Sequence, residues 1–420
     1  MDLNQEVHHE TFGNGITLLC QPMPWLESAA FSFSVPAGCR FDPPGKLALA
    51  NFTCEMVQRG CGEYSSREFI EALEMLGVNY SSSVSVYRSH FGGAMPAGQL
   101  LDALSIYRDV ICNPHMPDAQ VEDGRLVCLQ ELSAIQDDLG QRSIINLRQR
   151  YYGDPDGRIA EGDHDSIMSI TMDDIRKFHR EQYVPEGMII AVAGKVDWQR
   201  LRDHVAELFS GFSGNSPPEQ AASDPEHGVF HVPQESEQTH IAIASPGVAF
   251  SSPDYFTARA AIGALSDGMS SRLFTEVREK RGLCYTVYAY CHTLRDRGSV
   301  ICYSGTSADR AQETLDVLIE QIIALSEGIY EQELARLKVQ NRSGLIMQQE
   351  SCSARAGSIA GDWFHLGRVR SLDEINSTIN SLTVESINEY LRNNPPTEFD
   401  VVTLGPRPLT LRNGAGSKTG

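Results

Sequence analysis

The ten cysteines of this 420-residue chain include no CxxC pair. That absence removes the zinc ribbon and the thioredoxin-like redox site from consideration. Several of the ten lie inside apolar runs such as "VICNP" and "RLVCLQEL". Such scatter reads as reduced, mostly buried thiols in a reducing compartment, not as a disulfide framework. Basic residues are also scarce: 35 Lys and Arg against 55 Asp and Glu leave a formal net charge of -20. A surface of that sign argues against nucleic acid and anionic membrane as partners. No apolar run reaches the roughly 18 residues of a membrane helix. The opening "MDLNQEVHHETFGNG" has neither a basic stretch nor an apolar core, so no secretory signal is expected and the expected location is the cytoplasm. GxSxG, a phosphate loop and a dinucleotide fingerprint are all missing, which leaves nucleophilic or nucleotide-dependent catalysis without support.

What is present is the profile of an ordinary globular protein, 41% hydrophobic and 21% charged, and long enough for two domains of about 200 residues. Asn14-Gly15 between strand-like runs predicts a hairpin, and "SAAFSFSVPAG" alternates as a strand. Helices are expected from about Lys46 to Arg59 and in "SSREFIEALEMLG", closed by Gly77. "VNYSSSVSVYRSHFGGAMP" alternates as a pair of strands or one long strand, about Val78 to Phe91. The chain is helix-rich from Gln99 to about Arg180. An apolar strand in "GMIIAVAGKV" and an amphipathic helix in "DWQRLRDHVAELFSGF" follow.

Residues 213–228, "SGNSPPEQAASDPEHG", are polar and proline-bearing, the best linker. The order strand, Pro/Gly turn, Pro-led loop, apolar helix then repeats, and Pro36 aligns with Pro246 at an offset of 210 residues. The expected fold class is therefore α+β, with two like halves, 1–212 and 229–410, each an antiparallel-rich sheet packed with helices. The second half is expected to hold a helix in "SSRLFTEVREKRG" capped by Gly282, a long strand in "LCYTVYAYCHTLRDRGSVICYSGTS" and a helix from Ala308 to about Gly328. Helices near 331–349 and 383–391 and a flexible tail at 411–420 complete it.

"NFTCEMVQRG", residues 51–60, places Asn51, Cys54 and Glu55 at i, i+3 and i+4, on one side of a helix. A polar trio of that kind could hold a metal. Equally, it could line a cleft with Cys54 as a small buried hydrophobe. The histidines offer no replacement: His227 and His231 sit in a strand-like run, about 13 Å apart at strand rise. His164 lies between Asp163 and Asp165 as a loop or helix-cap cluster.

Longer stretches carry a resemblance. "NGITLLCQPMP…SFSVPAGCRFDPPGKLALANFTCEMVQRG" and "DGMSSRLFTEVREKRGLCYTVYA" resemble the N- and C-terminal halves of pitrilysin/insulinase-type metallopeptidases, in the short form typified by mitochondrial processing peptidase. "VICNPHMPDAQVEDGRLVCLQELSAIQDD" and "FHREQYVPEGMIIAVAGKVD" are similar to family segments in the right order. The resemblance implies a clamshell, of which this chain would form half. It also implies an inverted motif His-x-x-Glu-His on the first helix, whose histidines hold Zn²⁺ and whose glutamate is the general base.

Laid on this chain, the motif puts Asn51 and Glu55 at the histidine positions, Cys54 at the base and Glu131 at the third ligand. Only Glu131 is the residue the family requires, so no metal is expected on this chain, and zinc is expected on a partner. The same resemblance makes Arg278 and Tyr285 of "VREKRGLCY" a substrate-contacting pair. It implies a non-catalytic subunit that pairs with a zinc-bearing paralogue and binds peptide substrate. A structural scaffold without peptidase role, or an active peptidase with atypical ligands, are the alternatives. The glycine-rich loop of the mitochondrial non-catalytic subunit has no clear counterpart here.

Overall fold

A computed structural model describes residues 6–216 and 223–411. Nearly all of the expected tail, and the middle of the expected linker, lie outside the described residues. The first of two sheets takes β1 (His8–Thr11), β2 (Thr17–Pro22), β3 (Ser28–Val35), β4 (Asn79–Val84), β5 (Ser89–Pro96) and β6 (Ile189–Gly194). The second takes β7 (Val229–Pro233), β8 (Gln238–Gly247), β9 (Cys284–Thr293), β10 (Gly298–Ser307) and β11 (Asp400–Gly405). Their spatial orders are β1-β2-β6-β3-β5-β4 and β7-β11-β8-β10-β9. Without β1 the two orders are the same, and each holds one parallel pair, β2 with β6 and β7 with β11. β3 and β8 start 210 residues apart, at Ser28 and Gln238, which is the offset of the sequence repeat.

Both long alternating runs fold back on themselves. The run from Val78 becomes the hairpin β4–β5, because Ser85 N and Oγ both donate to the Arg88 carbonyl, at 2.8 and 3.0 Å. Arg88 is buried, so its guanidinium fixes that turn by reaching the carbonyls of Ser34 and Gly187. Of the two expected forms of this run, a pair of strands or one long strand, the pair is the one that forms. "LCYTVYAYCHTLRDRGSVICYSGTS" is likewise a hairpin, β9–β10, closed where Leu294 N donates to the Arg297 carbonyl at 2.8 Å. Gly15, at φ +94, supplies the left-handed residue of the β1–β2 turn, as its Asn-Gly sequence predicts.

Helices fill the connections. The first half carries α1 (Leu49–Met56), α2 (Ser66–Met75), α3 (Leu100–Cys112), α4 (Val121–Asp137) and α5 (Leu139–Tyr152). It continues with α6 (His164–Ser169), α7 (Met172–Gln182) and α8 (Trp198–Leu208). The second carries α9 (Tyr255–Ser266), α10 (Ala311–Ala324), α11 (Glu331–Gln348), α12 (Cys352–Leu366), α13 (Leu372–Ser381) and α14 (Val384–Asn393). Asp163 starts α6 by accepting the Ser166 N–H at 2.9 Å, so the Asp-His-Asp cluster is a helix cap. No helix among the described residues is long and apolar enough to cross a membrane.

Compactness does not follow the two sequence halves. One unit gathers Met1–Ala134, Asp154–Ser223 and Leu345–Asp373; the other gathers Ile135–Gly153, Asp224–Gly344 and Glu374–Gly420. α5 thus joins the second sheet and α12 joins the first. The cause is that each sheet has two apolar faces. In the first unit, Phe31, Phe33 and Phe91 point into the large core beneath α1, α3 and α7. The opposite face, with Leu19, Ile189 and Ala191, is covered by Ile359 and Ala360 of α12. In the second unit, Ala242, Ala244, Ile301 and Val402 are covered by Leu147 of α5. α12 escapes prediction because its buried side is made of Cys and Ala as much as of Ile, and its amphipathic stripe is faint.

Candidate functional site

α1 is short and is anchored from upstream. Asp42 accepts the N–H groups of Ala48 and Ala50 at 2.9 and 2.8 Å, satisfying two of the orphan donors of the helix start. Burial pushes the Asp42 carboxyl up to about 8, against the pull of those N–H groups and of Arg158. Leu49, Phe52, Thr53 and Met56 are buried. Gln58 ties the helix to the sheet, its Nε2 donating to the Cys54 carbonyl at 2.8 Å and to Ser82 Oγ of β4 at 3.0 Å.

The four motif positions come together in this first unit. Asn51 Nδ2 donates to Glu131 Oε2 of α4 at 2.7 Å. Glu55 Oε1 accepts from Arg59 Nε at 3.0 Å and Nη2 at 2.8 Å. Cys54 is 3% exposed, and burial pushes its thiol up to about 12, with Glu55 and Glu131 adding to the rise and Ser82 opposing it. A carboxamide therefore bridges to the third-ligand carboxylate, and a guanidinium neutralises Glu55. This donor set does not fit zinc. The Asn51 amide is turned to donate, Glu55 already has its cation, and the Cys54 thiol keeps its proton at neutral pH. For the same reason Cys54 is no general base. Arg59 is the residue that sequence reading missed, although Glu-x-x-x-Arg at i, i+4 is a legible ion-pair spacing.

The second unit carries Arg278 and Tyr285. The expected helix over "SSRLFTEVREKRG" forms, but its Phe274–Glu279 stretch is a wider π-type turn, in which Lys280 N donates to the Thr275 carbonyl at 3.0 Å. Gly282, at φ +57, ends it as expected. Its N–H bonds the Arg278 carbonyl at 3.1 Å, and Leu283 N bonds the Val277 carbonyl at 3.0 Å, a Schellman reversal.

That reversal starts β9 and sets Tyr285 beside Arg278. The guanidinium carbon lies 4.8 Å from the Tyr285 ring centre and 4.8 Å from that of Phe274, a cation held between two aromatic faces. The neighbouring Glu276 is satisfied by Lys280 at 2.6 Å and Arg281 at 2.8 Å. Among the described residues Arg278 forms no ion pair, so its donors remain for another acceptor. Tyr285 is 82% exposed. Phe274, unremarked in the sequence, could have been found at i, i+4 from Arg278.

β4 is the outer strand of the first sheet, and Asn79 to Ser83 are all exposed. Among the described residues its outer edge pairs with no strand, and such an edge can receive a further one. Ser82 faces α1, as the Gln58 hydrogen bond shows, whereas Ser81 and Ser83 face the opposite side of the sheet.

Residues 22–156, which hold Asn51, Cys54, Glu55 and Glu131, match the family model described as insulinase, peptidase family M16. Residues 169–341, which hold Arg278 and Tyr285, match the peptidase M16 inactive domain. The chain is 24% identical over 405 residues to the uncharacterized zinc protease YmxG of Bacillus subtilis, covering 94% of this chain and 97% of that one. It is 26% identical over 407 residues to the uncharacterized zinc protease Rv2782c of Mycobacterium tuberculosis, covering 94% and 92%. Among solved structures it is similar to a peptidase M16 inactive domain from Pseudomonas fluorescens, with a TM-score of 0.89, 21% identity and coverage of 97% and 100%. It is also similar to a chain of complex III2 from Candida albicans, with a TM-score of 0.81, 16% identity and 96% of each chain covered. These structural likenesses establish the shared fold.

Proposed function

Because the chain belongs to the insulinase family, peptidase family M16, we propose that it is the zinc-less, substrate-clamping subunit of a heterodimeric peptidase. The observation that carries this reading is the Asn51–Glu131 hydrogen bond, which stands where the family's metal ligands converge. A paralogous partner with an intact His-x-x-Glu-His would supply the zinc, which activates the attacking water. No metal is assigned to this chain. Its own contributions are donors: Arg278 offers a planar fork to a peptide carbonyl oxygen, and the Tyr285 hydroxyl donates to the oxygen on which negative charge develops. The free edge of β4 adds the peptide as an extended strand, fixing it by main-chain hydrogen bonds. The ten free cysteines, seven of them buried, support a reducing cytoplasm as the setting.

The test is to co-purify the chain with such a paralogue and to assay peptide cleavage. The pair is expected to cleave and this chain alone is not. Arg278→Ala and Tyr285→Phe in the pair are each expected to lower kcat by about 10²-fold, the usual effect of deleting one transition-state donor. Cleavage by this chain alone, or a pair indifferent to Arg278→Ala, would overturn the proposal. A pair that forms but binds no peptide would point to a scaffold.

A further inference from the structure

On the first sheet, α12 stops short of the edge. It seals the middle of the sheet, where Cys352 and Ala356 pack on Met23, Ala30 and Ala193. Beyond Ser353 and Gly357 the faces of β5 and β4 are open, and a groove of about 360 Å³ lies there. Strand register sets its floor. Ser32 lies opposite Gly92 and Gly92 opposite Ser81, while in the next row His90 lies opposite Ser83. Among the described residues the lining includes hydroxyls, the Asn79 amide and the His90 imidazole, but no Asp, Glu, Lys or Arg. Burial, with help from Arg88, pushes His90 down to about 4, so near neutral pH the imidazole is uncharged.

Packing does not demand this space. A Cβ at Gly92 would meet Ser81 Oγ at 3.6 Å and the Phe31 carbonyl at 3.7 Å, both ordinary contacts. A Cβ at Gly357 would meet nothing within 4 Å. Neither glycine has a positive φ. Glycine inside a strand or helix weakens it, so two glycines that no contact requires keep a groove open against local stability.

We infer that the groove receives alternate side chains of an extended peptide paired to β4, and that it selects uncharged, hydrogen-bonding side chains such as Ser, Thr, Asn and Gln. The inference rests on the strand addition proposed above. In a strand laid on β4, side chains opposite Tyr80 and Ser82 face α1, and those opposite Ser81 and Ser83 face the groove. A hydroxyl or amide there finds donors and acceptors on Ser81, Ser83, Asn79 and His90. A charged side chain loses hydration with no countercharge to replace it, and an aliphatic one strands the hydroxyls it covers.

The experiment uses the full chain and labelled extended peptides whose alternate positions carry Thr, Asp, Lys or Leu. Affinity is read by fluorescence anisotropy, and strand addition by hydrogen-exchange protection of the Asn79–Val84 amides. The Thr peptides are expected to bind about ten-fold tighter than the others, as for a site built to pair polar groups. Gly92→Val fills the groove from its floor and Gly357→Leu from its wall. Each is expected to erase the preference while β4 stays protected. Equal affinity across the series with β4 protected, or a preference that survives both substitutions, sinks the groove assignment and leaves strand addition standing. Protection of β4 by no peptide overturns both, and the Arg278→Ala cleavage assay then reports on the clamp separately.

Discussion

Asn51 and Glu55 stand one helical turn apart on α1, at the spacing two histidine ligands need, and their partners show what a metal would displace. The Asn51–Glu131 hydrogen bond and the Glu55–Arg59 ion pair would both have to break, and Cys54 would have to give way to a base. The combined substitution Asn51→His, Cys54→Glu, Glu55→His is therefore expected to confer zinc binding on a chain that otherwise binds substoichiometric zinc. Thermal melts should show it: zinc at 100 times Kd stabilises by about 2.7 kcal/mol, and only the triple variant should respond. Metal analysis of both proteins checks the same point. A wild-type melt that rises with zinc would restore the reading of an active enzyme with atypical ligands.

α12 is the element most exposed to a single change. Arg355 is 2% exposed and donates through Nε and Nη2 to Gln21 Oε1 of β2, at 2.9 and 2.7 Å. Gln21→Leu removes that acceptor and leaves a buried guanidinium underpaired, at a cost of about 2–4 kcal/mol in denaturant unfolding. The double variant Gln21→Leu with Arg355→Met should recover most of the loss, because an apolar pair of similar volume has no stranded charge. Full additivity of the two changes would show that the contact is incidental. α12 and α13 are also the helices that the sequence hid. α12 depends on covering the first sheet more than on a stripe of its own, whereas α13 carries a short apolar stripe at Leu372, Ile375 and Ile379. The π-type turn at Phe274–Glu279 was hidden in the same way, since a widened turn and an α-helix share nearly the same apolar spacing.

For the molecule as a whole, the exchange of α5 and α12 bears on how the chain can be divided. Residues 1–212 expressed alone would leave Leu19, Ile189 and Ala191 without their cover and α5 without a sheet. Such a fragment is expected to aggregate, and co-expression with residues 213–420 to restore soluble, cooperatively unfolding protein. A monomeric, cooperatively folded 1–212 would show the exchange to be dispensable. Stability should also fall in acid. Burial pushes His90 down to about 4 and His292 down to about 3, so the folded chain refuses protons that the unfolded chain takes up near 6.5. Asp42, held up to about 8, opposes this slope, because it keeps a proton that the unfolded chain releases. Unfolding free energy should therefore drop by a net of about 1.4 kcal/mol per pH unit as pH falls from about 6.5 toward 4. His292→Gln should flatten part of that slope.

Local chemistry was legible in the amino-acid order. The Asn14-Gly15 turn, the strands of alternating residues, the repeat at 210 residues and the Gly282 helix stop all follow from neighbours a few positions apart. So did the identities at Asn51, Cys54 and Glu55, which by themselves exclude the usual zinc set. The pairing of residues far apart was not legible. Gln21 meets Arg355 across 334 positions, and Asn51 meets Glu131 across 80. The folding back of two long strands was decided by turn contacts and a buried arginine, and the cover of each sheet by a helix from the other half. Periodicity reports which side of an element is apolar but not which distant element will bury it. That choice is made by the competition of all apolar faces for cover, and it exists only in the folded chain.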